Sequence, residues 1–111
     1  MEAKVFTRNI HIGTVNLEVG DYSMGGLYGI FTPNLYYNEI QKQVHDFNKI
    51  DDNDFQLWNS FDFKVELIDG YILQPIGGIV IEDFEEMLGE PIQIELAGVA
   101  CDIIDKYFAT R

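Results

Sequence analysis

The sequence predicts an α+β fold: one domain with a mainly antiparallel sheet and helices on one face. Three observations carry that expectation. Apolar residues alternate with polar ones over several short stretches, as half-buried strands require. Those stretches cluster and connect through short turns, which suits antiparallel pairing rather than β-α-β crossovers. Two further stretches, about 33–49 and about 99–109, repeat apolar residues at helical spacing. The 111 residues suffice for a single core, and no internal repeat, low-complexity tract or Pro/Ser-rich linker divides them.

Thr14 to Val19 reads as a strand, with Val15, Leu17 and Val19 on one face and Thr14, Asn16 and Glu18 on the other. Ile10 and Ile12 have the opposite parity, which a bulge at Gly13 would reconcile. Asp21 to Gly29 reads as a turn-rich segment. Thr32-Pro33 then suits a helix start, Thr as cap and Pro at the first helical position, with Asn34 as an alternative cap. Tyr36, Ile40, Val44 and Phe47 form an apolar stripe ending near Lys49, while Glu39, Gln41, Lys42 and Asp46 take the wet face.

Asp51-Asp52-Asn53-Asp54 breaks that pattern as a loop, or caps a short turn carrying Phe55, Leu57 and Trp58. Phe61 to Leu67 alternates most clearly. Asp69-Gly70 suits a two-residue type I′ turn, returning Tyr71 to Leu73 with Ile72 on the core face and Leu73 on the other. Gly77-Gly78 marks a turn, Ile79 to Ile81 a short strand, and Phe84 to Leu88 fits one helical turn stopped by Gly89 and Pro91. Ile92, Ile94 and Leu96 alternate with Gln93 and Glu95 as a further strand. Val99, Ala100, Ile103, Ile104, Tyr107 and Phe108 give the C-terminal helix.

Charge is the outlier. Nineteen acids face seven bases, for a net charge of −12 and a pI near 4.2. Such a balance disfavours nucleic acid and anionic membrane surfaces, since both are bound through Lys and Arg. The longest uncharged stretch, Tyr22 to Asn38, is too short and too broken by glycine and proline to span a bilayer. A single cysteine, Cys101, permits no intramolecular disulfide. With no apolar leader over Met1 to Arg8, the expectation is a cytoplasmic protein.

No constellation for catalysis, cofactor or metal emerges. Gly25-Gly26-Leu27-Tyr28-Gly29 is neither a dinucleotide fingerprint nor a phosphate loop, and no base lies between Arg8 and Lys42 to neutralise phosphate. His11 and His45 have no ligand-spaced partners, and a partly exposed or hydrogen-bonded role suits each. Asp51 to Asp54 lacks the spacing and glycine of a calcium loop. Asp102 would raise the pKa of a Cys101 thiol, so a structural cysteine is expected.

The acids themselves remain. Ten lie between Lys64 and Lys106 with no base among them. They suit a solvated surface or a docking face that steers a basic partner. Asp51, Asp52, Asp54, Glu82, Asp83, Glu85 and Glu86 are the candidates for such a field, and Tyr37 and Trp58 for aromatic anchors.

Small size, no leader, no catalytic motif and this acidic excess together resemble the small immunity proteins of bacterial toxin systems, including contact-dependent growth inhibition. The resemblance implies a cytoplasmic, non-catalytic protein that binds and blocks a cognate, basic, nuclease-type toxin domain. Two other classes fit the same residues: a DNA mimic or adaptor regulating a host or phage protein, and a small ligand-binding domain or enzyme with its pocket near Tyr22 to Tyr37.

Overall fold

The computed structural model describes residues 1–49, 55–84 and 89–108. Strands β1 (Glu2–Thr7) and β2 (Ile10–Val19) form a hairpin closed by Arg8 and Asn9, whose φ angles of 48° and 67° are those of a type I′ turn. The cost of a left-handed Arg8 is offset by its contacts: its amide donates to the Phe61 carbonyl and its guanidinium lies 5.2 Å from the Phe61 ring centre. The pairing shifts between Val5 and Phe6, so Ile12 and Gly13 are both buried. This is the bulge that the change of parity required.

The next strand corrects the sequence reading. Of the segment read as turn-rich, Tyr22–Met24 forms a 3₁₀ turn, but residues 27–29 open β3 (Leu27–Pro33), paired along β2 from Val19–Leu27 to Gly13–Pro33. Its glycine is what made it resemble a loop. A Cβ on Gly29 would lie 2.2 Å from the Asn16 carbonyl oxygen, so the close approach of the two strands excludes any side chain there. Pro33 therefore ends a strand instead of starting a helix.

Asn34 supplies the cap, its side chain accepting from the Tyr36 amide. The expected helix over 33–49 divides into a 3₁₀ turn (Leu35–Glu39) and α1 (Gln41–Lys49). The tighter winding of the first part moves Tyr37, not Tyr36, into the core. Ile40, Val44 and Phe47 follow the expected stripe.

Helix α2 (Phe55–Ser60) leads into β4 (Phe63–Glu66). Asp62, at φ 49°, separates them, so Phe61 reaches the core from a turn rather than from the strand. The turn after β4 is one residue longer than expected. Glu66 bridges Ile72, leaving Ile68, Asp69 and Gly70 in the loop, with Gly70 at φ 92°. A one-residue change of register reverses the faces. Leu73 therefore shares the core face with Val65, and Ile72 points outward.

Strands β5 (Gly78–Glu82) and β6 (Ile92–Ala97) and helix α3 (Cys101–Phe108) complete the chain. Of the helical turn expected over Phe84 to Leu88, residues 85–88 lie outside the described residues. Cys101 is exposed at the start of α3, its Sγ 4.0 Å from the Tyr22 carbonyl oxygen.

The six strands form one antiparallel sheet in the order β4-β1-β2-β3-β6-β5. Val5, Val15, Leu17, Phe31, Ile81 and Ile94 cover its inner face, and Val44, Phe47, Trp58 and Ile104 of the helices join them in one core. The fold is thus α+β, with the described helices on one side. Trp58 Nε1 donates to the Ile79 carbonyl at 2.8 Å and Asn48 Nδ2 to the Ile81 carbonyl at 3.0 Å. Two helices thereby bond to the outer edge of β5.

Candidate protein-binding face

Alternation puts every second residue of the sheet on the face away from the helices. The register then aligns these residues in rows. Glu18 of β2 lies opposite Tyr28 of β3, which lies opposite Glu95 of β6, which lies opposite Val80 of β5. The next row runs Asn16, Ile30, Gln93, Glu82. The apolar members are open to solvent: Tyr28 is 40% exposed, Ile30 46% and Val80 36%. β3, β5 and β6 contain no Lys or Arg. The result is an apolar strip with carboxylates beside it and no internal counter-charge on its own strands.

Glu82 and Glu95 sit diagonally across β5 and β6. Partial burial, and then the neighbouring Glu95 carboxylate, push the Glu82 pKa above the usual carboxylate range. The pair repels itself in its charged form, and an incoming cation would relieve that repulsion.

A second acidic site lies one residue further along the chain. Asp83 is buried. Its Oδ2 accepts from the Tyr37 hydroxyl at 2.8 Å and from Gln41 Nε2 at 3.2 Å. His45 Nε2 lies 3.0 Å from Oδ1, without the alignment of a hydrogen bond. Asn48 Nδ2 donates to the Asp83 backbone carbonyl at 3.0 Å. Burial, followed by the adjacent carboxylate, holds the Tyr37 phenol far above its ordinary pKa, so it stays a neutral donor. This cluster fastens the end of β5 to α1.

The structure separates the residues singled out from the sequence. Glu82 stands on the open face. Asp83 turns inward, where Tyr37, Gln41 and His45 surround its carboxylate, so it is not offered to a partner. Tyr37 is 0% and Trp58 5% exposed, and neither offers a partner a surface. Both pack in the core instead: Trp58 stacks on Phe47 and Tyr37 packs edge-on against Phe31. Asp51, Asp52, Asp54, Glu85 and Glu86 lie outside the described residues.

The residues missed were Tyr28, Ile30, Val80, Glu18 and Glu95 as one surface. The alternation Leu27, Gly29, Phe31 against Tyr28, Ile30 would have revealed it, had glycine been allowed as an inward residue. Near the Tyr22 to Tyr37 segment, Asp21, Met24, Gly26 and Tyr28 line a groove of about 330 Å³ with Gly77, Gly78, Val80 and Glu95.

Among the described residues no group of three or more His, Cys, Asp or Glu side chains converges as a metal site would require. No helix among them is long and apolar enough to cross a membrane. Comparison with protein-family models, curated proteins and solved structures finds no match to this chain.

Proposed function

We propose that the chain is a non-catalytic binding domain for a basic protein, and that it acts as a stoichiometric inhibitor of the immunity type, blocking a toxin domain of nuclease character. The observation that carries this reading is the uncovered sheet face, where Tyr28, Ile30 and Val80 are flanked by Glu18, Glu82 and Glu95 with no base on β3, β5 or β6. Apolar residues at the centre of a patch hold a complex, and like charges around it speed encounter and reject acidic competitors. A nuclease groove shaped for phosphates presents the complementary field. Nothing in this mechanism needs turnover, since occupying the groove is enough.

The test is a low-salt pull-down from lysate, followed by binding kinetics with the protein retained. Replacing Glu18, Glu82 and Glu95 by Gln should slow association several-fold at low salt and flatten its salt dependence. Replacing Glu39 by Gln, and Asp46 and Asp102 by Asn, makes the same change in net charge away from this face and should have a smaller effect. Equal slowing by both sets would mean that net charge alone steers binding, and the face would lose its role. Retention of several unrelated DNA-binding proteins would point to a DNA mimic instead.

A further inference from the structure

A groove between Met24 and the Gly77-Gly78 turn borders Tyr28 and Glu95 of this face. We propose that it seats an arginine side chain of the protein partner, with the guanidinium against Tyr28 and Glu95. This inference rests on the reading that the outer sheet face docks a basic protein.

The recognition chemistry follows from the register. Tyr28 has a glutamate directly opposite it on each neighbouring strand, Glu18 on β2 and Glu95 on β6. Directly opposite side chains have Cβ atoms about 5 Å apart. A cation on the phenol ring therefore has a carboxylate within reach on either side. The ring leans on bare backbone: a Cβ on Gly20 would lie 3.2 Å from its Cδ1.

The opposite wall is bare as well. Gly78 has no side chain to fill the groove, and a Cβ on Gly77 would lie 2.8 Å from that of Ala97. Met24 is 68% exposed at the rim, and its flexible thioether suits the methylene stem of a long side chain. Val80 continues the apolar surface.

Arginine fits this set better than lysine. Its planar guanidinium stacks on an aromatic face and still donates in a fork to a carboxylate, whereas an ammonium is a compact, strongly hydrated point charge. The charge is missing on this side: β3, β5 and β6 hold no base that could fill the place internally. Binding would also quench the repulsion between Glu95 and Glu82, whose carboxyl already holds its proton more tightly than usual.

The test is a titration of the ¹⁵N-labelled chain at low salt with hexa-arginine and, separately, hexa-lysine. Saturable amide shifts should centre on Gly26, Tyr28, Gly77, Gly78 and Glu95, with hexa-arginine the tighter ligand. Tyr28→Leu keeps an apolar side chain but removes the ring, and should weaken hexa-arginine roughly two- to five-fold while narrowing the difference between the peptides. An unchanged spectrum away from the groove shows that this variant is folded. Shifts centred on Ile30, Glu82 and Gln93, with Tyr28→Leu without effect, would overturn the arginine seat and leave the docking face standing. Shifts scattered over the acids of α1 and α3, with none saturating on the sheet, would overturn both.

Discussion

Glu82 and Asp83 are neighbours in sequence and opposites in structure. Glu82 points out of the sheet, and partial burial, followed by the neighbouring Glu95 carboxylate, raises its pKa. Asp83 points inward and is met by Tyr37, Gln41 and His45. Two identical charges in a formula thus do different work. One contributes to the external field and the other to the internal architecture. An acidic run cannot be read as a surface until the pleat of the strand says which member faces out.

The largest expected effect comes from breaking the inner member of the pair. Asp83→Ala strips the acceptor from Tyr37 and Gln41 and the counter-group from His45, and should cost about 3 kcal/mol in urea denaturation. Tyr37→Phe removes one buried hydrogen bond to the same carboxylate and should cost about 1 kcal/mol by the same measurement. Loss of stability from Glu82→Ala as large as that from Asp83→Ala would dissolve the contrast between the two acids.

The smallest effect tests the outer member. Its raised pKa means that the folded chain binds more protons than the unfolded chain between the ordinary carboxylate pKa and the raised value. Glu82 therefore adds stability as pH falls through that window. Glu82→Gln should abolish this gain and change stability at neutral pH by no more than about 0.5 kcal/mol, because solvent still screens a partly buried charge at the sheet surface. Asp69 runs the other way. The Tyr107 hydroxyl, 2.7 Å from its Oδ2, and the Tyr71 amide lower its pKa. Its contribution is present above the ordinary carboxylate pKa and is lost as pH falls through the lowered one. Comparing the pH–stability curves of Glu82→Gln and Asp69→Asn should therefore show slopes changed in opposite senses.

The same contrast explains what could be read from the sequence. Strands in which polar and apolar residues alternate cleanly, such as Val15 to Val19 and Ile92 to Leu96, were legible, as was the bulge at Gly13. β3 was not, because Gly29 occupies an inward position and Pro33 ends the strand, and both residues ordinarily signal a break. The phase of the Tyr37 turn was lost because 3₁₀ winding does not keep the spacing of an α-helix. Leu73 was placed on the wrong face by a loop of three residues where two were expected. The acidic, base-poor character of the C-terminal half was plain. The open face was not, because it depends on the unread β3 and on its pairing with β6, a strand far along the chain.

The bonds from Trp58 and Asn48 to β5 carry a consequence of another kind. An edge strand with free carbonyls is a template onto which a second chain can grow, and a sheet protein kept concentrated in a cell must guard against that. Here the Ile79 and Ile81 carbonyls are already taken by an indole and an amide. On this edge the side chains that close the core also cap the sheet, so strand addition along β5 must first pull a tryptophan out of its packing. Protection of the β5 edge is, in this chain, a by-product of packing the core.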